Sequence, residues 1–217
     1  MKRKNFFVIL SLMVVVSCLN NSTWNVDLPV PYLETATYHS AAHCIAMWSA
    51  ADGVFASEES IAAFLGGGFS YGDLEWAIEI YTDSVGWVTE FPNTDDGQNK
   101  ALSAVAEGLT NDCPSIVPMY GGDNFWLAKG GHGHYDGYVP IADYMTFHYL
   151  EIEDFSMPVG MIKHEFFSTV NNHFIALVGR RRFEIQGLED YEEFVTAGGT
   201  YWGAPPNYVP DPSLPPI

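Results

Sequence analysis

A serine and two histidines lie at the start of the first predicted helix, in an arrangement that catalysis often uses. Ser40 follows His39 directly, and His43 comes one turn later. A hydroxyl at a helix N-terminus lies near free backbone amides, and a histidine can take its proton during attack. The sequence therefore indicates Ser40 as a candidate nucleophile.

An extended segment and two helices must position this serine. Residues 26–32 alternate apolar side chains with prolines and are predicted to be extended. The helix is predicted to begin at His39 or Ser40 and to end at Asp52-Gly53, because glycine tolerates positive φ. A second helix is predicted to start at Ser57, whose hydroxyl can cap free amides.

The spacing of the residues around Ser40 is specific. Glu34 lies six residues before Ser40, and Met47 and Gly53 lie seven and thirteen residues after it. This pattern resembles the opening of papain-like peptidases of the bacteriocin-leader-processing type. In that family, glutamine, the cysteine nucleophile, methionine and glycine stand at these spacings.

A second region resembles the histidine strand of the same family. Residues 172–179 read NHFIALVG, so His173 corresponds to the catalytic histidine. Gln186 stands where the family has the residue that orients this histidine, with Glu189 and Asp190 just beyond it. The resemblance therefore implies a nucleophile, a base and an orienting residue at matched positions.

The resemblance also implies the fold. Residues 157–162 resemble the strand that enters the histidine hairpin. The implied architecture is α+β, a papain-like fold with a helical half and an antiparallel β-sheet half, over residues 26–203. No internal repeat divides this single domain.

Two departures from the family pattern affect the chemistry. Ser40 replaces a cysteine, and a hydroxyl ionises far less readily than a thiol whose pKa starts near ~8.5. Glu34 replaces the glutamine whose amide donates to the oxyanion, and a carboxylate has no proton to donate. Loss of one such donor costs about 3 to 4 kcal/mol of transition-state stabilisation.

The sequence supports three hypotheses about function, two of which concern the peptidase-like residues. The leading one is a catalytically degenerate domain that binds peptide or another envelope ligand in the old cleft. The second is an active hydrolase that uses His173 as base with either Ser40 or Cys44 as nucleophile. Cys44 restores a thiol, but it lies on the second turn of the helix, away from the amide-rich end.

The N-terminus predicts export. Three basic residues precede an apolar run, and a small residue then stands directly before Cys18. This resembles a bacterial lipoprotein signal over residues 1–18, with acylation of Cys18, a tether over 19–25, and a cell-envelope location. The residues after Cys18 favour the outer membrane where the host has one.

The net charge of the chain excludes some classes of binding partner. The formal charge is −18, and removing the three basic residues of the signal changes it to −21. Such a chain repels nucleic acid and anionic lipid, so membrane contact is predicted through the lipid anchor only. Cys44 and Cys113 remain in the exported chain, where an oxidising compartment permits a disulfide.

The third hypothesis is a metal-binding envelope protein that uses the histidines around residues 132–136. His132 and His134 have the spacing to face one metal in an extended loop, but no HExxH or paired CxxC accompanies them. No metal site and no cofactor are therefore assigned. Tyr135 and Asp136 are predicted instead to contact a ligand at the border of the cleft.

The remaining elements are read from periodicity and turn residues. The predicted helices are 71–81, 98–109 and 189–195, and the predicted buried strand is 115–119. Asp95-Asp96-Gly97 is predicted to be a turn, and residues 121–123 and 129–137 to be glycine-rich loops. Residues 204–217 form a predicted proline-rich tail.

Overall fold

The computed structural model describes residues 22–122, 124–163, 169–181 and 200–201. Within these residues, five helices and nine strands are present. The helices are α1 (Ser40–Ala51), α2 (Glu58–Leu65), α3 (Tyr71–Tyr81), α4 (Asp95–Thr110) and α5 (Val159–Met161). The strands are β1 (Thr23–Asp27), β2 (Ser84–Pro92), β3 (Ser115–Met119), β4 (Asn124–Asp136), β5 (Val139–Tyr149), β6 (Ile152–Pro158), β7 (Thr169–Val170), β8 (His173–Arg181) and β9 (Thr200–Tyr201).

The strands form one antiparallel sheet in the order β6-β5-β4-β3-β8-β2-β9. Strand β1 pairs with the second half of β4, and β7 pairs with the start of β8. The predicted α+β architecture, a helical half and an antiparallel sheet half, is confirmed. No helix among the described residues is both long enough and apolar enough to span a membrane.

Side-chain caps explain where the helices begin. His39 caps α1, because its Nδ1 accepts a hydrogen bond from the backbone N–H of Ala42 at 3.3 Å. Ser57 caps α2, and Ser70 forms a capping box with Asp73 at the start of α3. The predicted starts of α1 and α2 and the predicted range of α3 are therefore confirmed.

The long helices cover opposite faces of the sheet. A Cβ added at Gly179 in β8 would lie 2.2 Å from the ring of Trp48 in α1. The preceding residue, Val178, faces α4, where a Cβ at Gly108 would lie 3.1 Å from its side chain. Because successive strand residues point to opposite faces, the sheet is enclosed between α1 and α4.

The prediction of a loop over residues 129–137 was wrong, since β4 continues through Asp136. The glycines here allow close strand contact: a Cβ at Gly133 would lie 1.9 Å from the carbonyl oxygen of Ile141 in β5. The prediction of a turn at 95–97 was also wrong. Thr94 accepts a hydrogen bond from the N–H of Gly97 and caps α4, so the helix starts there.

The strand beside the histidine strand also differs from expectation. Residues 157–162 contain the end of β6 and the short helix α5, not one strand. The strand that enters the hairpin before His173 is β7, which pairs with the start of β8. Strand β3, whose predicted range is confirmed, pairs with β8 farther along, at Leu177 and Val178. Cys18, Gln186, Glu189, Asp190 and the predicted helix 189–195 lie outside the described residues.

Candidate functional site

Ser40 lies at the first position of α1, where the helix meets the sheet. Its side chain is almost buried, with 8% of the residue exposed. Its Oγ accepts a hydrogen bond of 3.1 Å from the backbone N–H of Phe125 in β4. One lone pair of the Ser40 hydroxyl is therefore used to accept a hydrogen bond from β4.

Ser40 lines a cavity of about 630 Å³ at the N-terminal end of α1. Aromatic, amide and glycine residues dominate its wall, and among the described lining residues there is no aspartate, glutamate, lysine or arginine. The described part of the wall therefore carries no acidic side chain and no basic one except the imidazole of His39, although the chain as a whole is strongly acidic. Its lining residues are Tyr38, His39, Ser40, Gly67, Gly68, Phe69, Ser70, Tyr71, Gly122, Asn124, Phe125 and Asn171.

His39 is adjacent to Ser40, but its imidazole is occupied elsewhere. Its Nδ1 accepts from Ala42, and its Nε2 lies 3.3 Å from the carbonyl oxygen of Gly66. A carbonyl oxygen only accepts, so Nε2 carries the proton and donates it. With both nitrogens used in these contacts, His39 is a helix cap and is not arranged as the base for Ser40.

Tyr38 marks strain at the rim of the cavity. Its φ is +56°, a left-handed value that is costly for a side chain of this size, and the residue is 68% exposed. Its backbone N–H donates to Thr35 Oγ1 at 3.2 Å, which helps to hold this turn. The turn presents the tyrosine ring at the opening beside Ser40.

The buried carboxylate of Glu58 stabilises the turn that precedes Ser40. Glu58 in α2 accepts hydrogen bonds from the backbone N–H groups of Ala36 and Thr37 at 3.0 and 2.9 Å, and from the hydroxyls of Thr35 and Thr37. It also accepts from Nδ1 of His43 at 2.8 Å. Burial opposes ionisation of Glu58, but these hydrogen bonds outweigh it and lower its pKa to about 2.

His173 begins β8, directly after a two-residue turn. Asn171 and Asn172 both have positive φ, +49° and +66°, as a type I′ hairpin turn requires. Nδ1 of His173 lies 3.1 Å from the carbonyl oxygen of Asn171, so Nδ1 carries a proton and donates it. No hydrogen bond of Nε2 to another described residue is present.

The structure brings this turn, but not His173 itself, to the Ser40 cavity. Asn171 lines the cavity, whereas His173 is not among the lining residues. Strand alternation places His173 on the same face as Gly179, the face that α1 covers. Within the described part of the chain, no hydrogen bond joins Ser40 to His173.

Glu34 and Cys44 lie away from the cavity wall. Glu34 is exposed in the segment before α1 and does not line the cavity. Cys44 is buried in α1, and its Sγ donates to the carbonyl oxygen of Phe125 at 3.3 Å. Burial, with a smaller contribution from Glu58, raises the pKa of Cys44 far above its usual range, so its thiolate is disfavoured.

The two cysteines of the described region, Cys44 and Cys113, are both thiols and not part of a disulfide. Cys113 is also buried, and its Sγ lies 3.5 Å from Ser84 Oγ. The disulfide that the sequence permits between Cys44 and Cys113 is therefore not formed in the structure.

The histidines of β4 contact residues of β5. His132 stacks on Tyr144 with ring centroids 4.9 Å apart, and Nδ1 of His134 lies 3.5 Å from Asp143 Oδ2. Among the residues with described positions, no three histidine, cysteine, aspartate or glutamate side chains are grouped closely enough to hold a metal. Tyr135 and Asp136 line a different cavity, beside α4.

Comparison with known proteins finds similar solved structures. No protein-family model and no curated protein matches this chain. One similar structure is a double glycine motif protease from an AMS/PCAT transporter in complex with the leader peptide. It has 14% identity and a TM-score of 0.45, with 72% of this chain and 97% of that chain covered.

A second solved structure is a Bacillus anthracis protein described as a C39-like peptidase. It has 12% identity and a TM-score of 0.43, with 73% of this chain and 100% of that chain covered. One neighbour is thus described as a protease and the other as a C39-like peptidase.

Several cavity residues were not singled out by the sequence. Phe69, Tyr71 and Phe125 form aromatic parts of the wall, and Asn171 contributes an amide. They come from three separate segments that only the tertiary structure brings together. The one local signal was the glycine run at 66–68, which leaves part of the wall without side chains.

Proposed function

We propose that this domain is a peptide-binding module with a papain-like architecture and without peptidase chemistry. The observation that carries the proposal is the hydrogen bonding of Ser40 Oγ. Its Oγ accepts a hydrogen bond from the backbone N–H of Phe125, and no base among the described residues is bonded to it. The described residues that line the cavity with Ser40 include no aspartate, glutamate, lysine or arginine. A serine hydroxyl without such a base is a poor nucleophile.

The cavity wall suits a peptide backbone and uncharged side chains. Asn124 and Asn171 offer amides that both donate and accept, as peptide groups require. Phe69 and Tyr71 offer aromatic surface for apolar side chains. A volume of about 630 Å³ holds a few residues of an extended chain rather than a folded partner.

The positions around Ser40 support loss of catalysis. Glu34, at the position of the family's oxyanion donor, is exposed and does not line the cavity. His39, the nearest imidazole along the chain, is used as a helix cap. Cys44, the alternative nucleophile, is held in the core as a thiol.

A cleavage and binding experiment tests the proposal. The chain from Ser22 onward, with its Ser40→Ala and Cys44→Ala forms, is incubated with a diverse peptide mixture that is read by mass spectrometry. We expect no cleavage by any form and retention of a subset of peptides. Turnover that is lost with either substitution would contradict the proposal.

A cavity-filling variant shows whether the peptides bind beside Ser40. A Cβ at Gly68 would meet no atom within 4 Å, so Gly68→Leu extends into open space at the cavity wall. Gly160→Leu is the matched control, because Gly160 is equally open and does not line this cavity. We expect retention to be lost in the first variant and kept in the second.

The second candidate function is a serine-type peptide or amide hydrolase. The observation that favours it is Asn171, which lines the Ser40 cavity while its carbonyl holds Nδ1–H of His173 and leaves Nε2 free to accept a proton. Gln186 or Asp190 would orient the imidazole. On this hypothesis, His173→Ala abolishes turnover while the free energy of unfolding stays within about 1 kcal/mol of the wild-type value.

We propose that Cys18 is acylated and anchors the domain in the cell envelope. The small residue before Cys18 and the preceding apolar run support this assignment. Expression in a bacterial host should place the wild-type protein in the membrane fraction. Cys18→Ala should shift it out of that fraction, and an unchanged distribution would contradict the anchor.

A further inference from the structure

A second cavity, of about 510 Å³, lies on the opposite side of the sheet from Ser40. It is bounded by α4, by the β4–β5 hairpin and by the segment at α5. Its polar lining residues are Asn99, Ser103, His134, Tyr135, Asp136 and Lys163, and its apolar ones are Leu102, Ile141, Ala142 and Val159.

Lys163 is an unusual cation in this acidic chain. Among the lysines and arginines whose side chains are described, it alone has no carboxylate oxygen within 4 Å in the described region. Its Nζ instead donates to Asn99 Oδ1 within the cavity. Its carbonyl oxygen accepts from Gln98 Nε2 at 3.2 Å, which attaches this segment to α4.

The opposite charge in the cavity likewise has no ion-pair partner among the described residues. Asp136 lies at the end of β4 and forms no ion pair with any described residue, Lys163 included. The hydroxyls of Ser103 and Tyr135 line the same space. The cavity therefore presents a cation and an anion that do not pair with one another, with hydroxyls beside them.

We propose that this cavity binds a small zwitterion that carries an ammonium and a carboxylate group, an amino acid or short peptide with free termini. Lys163 receives the carboxylate and Asp136 receives the ammonium group. A simple anion would face Asp136, and a simple cation would leave Lys163 unpaired. A net-neutral ligand also avoids repulsion by a chain of charge −18.

The apolar part of the cavity gives the ligand its side-chain preference. Leu102 and Val159 line the same cavity as the two charges and carry aliphatic side chains. An aliphatic side chain is therefore favoured over a charged one, because it removes apolar surface from water. L-leucine and L-leucyl-L-leucine are suitable probes, and they distinguish an amino-acid site from a dipeptide site.

Calorimetric titration of residues 19–217 tests the assignment. We expect one of the two probes to bind, and we expect N-acetylation or C-terminal amidation of that probe to weaken binding about tenfold each. In Lys163→Gln, amidation should no longer matter, and in Asp136→Asn, acetylation should no longer matter. Each variant thus reports which end of the ligand it contacts.

Matched controls separate a site from a general charge effect. Lys100→Gln and Asp96→Asn remove one charge each from an exposed ion pair of α4 outside the cavity lining, and they should leave both tenfold ratios unchanged. Failure of both probes to bind at 10 mM, or tenfold ratios that survive in Lys163→Gln and Asp136→Asn, would overturn the proposal. Gly68→Leu should not affect this binding, so its outcome is independent of the Ser40 cavity.

Discussion

The backbone N–H of Phe125 donates a 3.1 Å hydrogen bond to Ser40 Oγ, across 85 residues of sequence. The bond joins the first residue of α1 to the second residue of β4. Ser40 therefore has a structural role as an acceptor, whether or not it takes part in chemistry. This role accounts for a buried hydroxyl at the start of α1.

Ser40→Ala should lower the free energy of unfolding by about 1 to 2 kcal/mol, because the N–H of Phe125 loses its partner in a buried setting. Urea unfolding followed by circular dichroism measures the change. Ser156→Ala is the control, since Ser156 is exposed and its hydroxyl contacts only the Thr146 hydroxyl among described groups. An equal loss in both variants would contradict the structural role of Ser40.

Ser40→Cys should create a reactive thiol. A cysteine at a helix N-terminus has its pKa lowered by the helix amides, whereas Cys44 and Cys113 are buried. Iodoacetamide labelling of folded protein at pH 7, read by peptide mass spectrometry, should modify residue 40 at least tenfold faster than residues 44 and 113. Faster labelling of Cys44 would contradict the burial of this thiol in α1.

Glu58 should make the free energy of unfolding depend on pH. Its pKa is about 2 in the folded state against an ordinary value of 4.5, so its stabilising contribution is complete above about pH 4.5 and is lost as the pH falls toward 2. Glu58→Gln should cost about 3 kcal/mol at pH 7 and should remove this part of the pH dependence. Urea unfolding between pH 3 and 7 measures both effects.

Glu59 provides the control for this experiment, because it is the neighbouring residue and is exposed. Glu59→Gln should change the unfolding free energy by less than about 0.5 kcal/mol. If Glu58→Gln were equally mild, the carboxylate would not be the support of the turn before Ser40.

Glu75 should have the opposite pH dependence. Burial raises its pKa to about 7, with a smaller rise from Glu79, and the hydrogen bond from the N–H of Val88 opposes the rise. The folded state therefore favours the protonated acid, and its contribution is complete below about pH 4.5 and is lost as the pH rises through 7. Glu75 should therefore make the free energy of unfolding about 2 kcal/mol larger at pH 5 than at pH 8, after allowance for the partial exposure of its side chain.

Glu75→Gln mimics the protonated acid, so it should remove that difference and stabilise the protein at pH 8. Thermal unfolding at the two pH values measures this. A wild-type difference that persists in Glu75→Gln would assign the pH dependence to another group.

Gly179→Ala tests the contact between α1 and β8. A Cβ would lie 2.2 Å from the ring of Trp48, so one of the two elements must move. We expect a loss of about 3 kcal/mol, the upper part of the range for overpacking. Gly160→Ala has no neighbour within 4 Å of its added Cβ and should be close to neutral, as measured by the same urea unfolding.

The sequence by itself determined the features that depend on neighbouring residues. The starts of α1 and α2, the range of α3 and the range of β3 were predicted, because caps and hydrophobic periodicity act over a few residues. The α+β architecture came from the resemblance around Ser40 and His173. These features need no knowledge of distant contacts.

Only the tertiary structure decided what lies around the chemically interesting residues. The glycines of β4 read as a loop because nothing local shows the strands that approach them, and a Cβ at Gly133 would collide with Ile141. Glu58 was not singled out, although it supports the turn before Ser40 from another helix. Lys163 and Asp136 share a cavity because β4 and α4 pack together, and packing between elements far apart in sequence leaves no periodic signal.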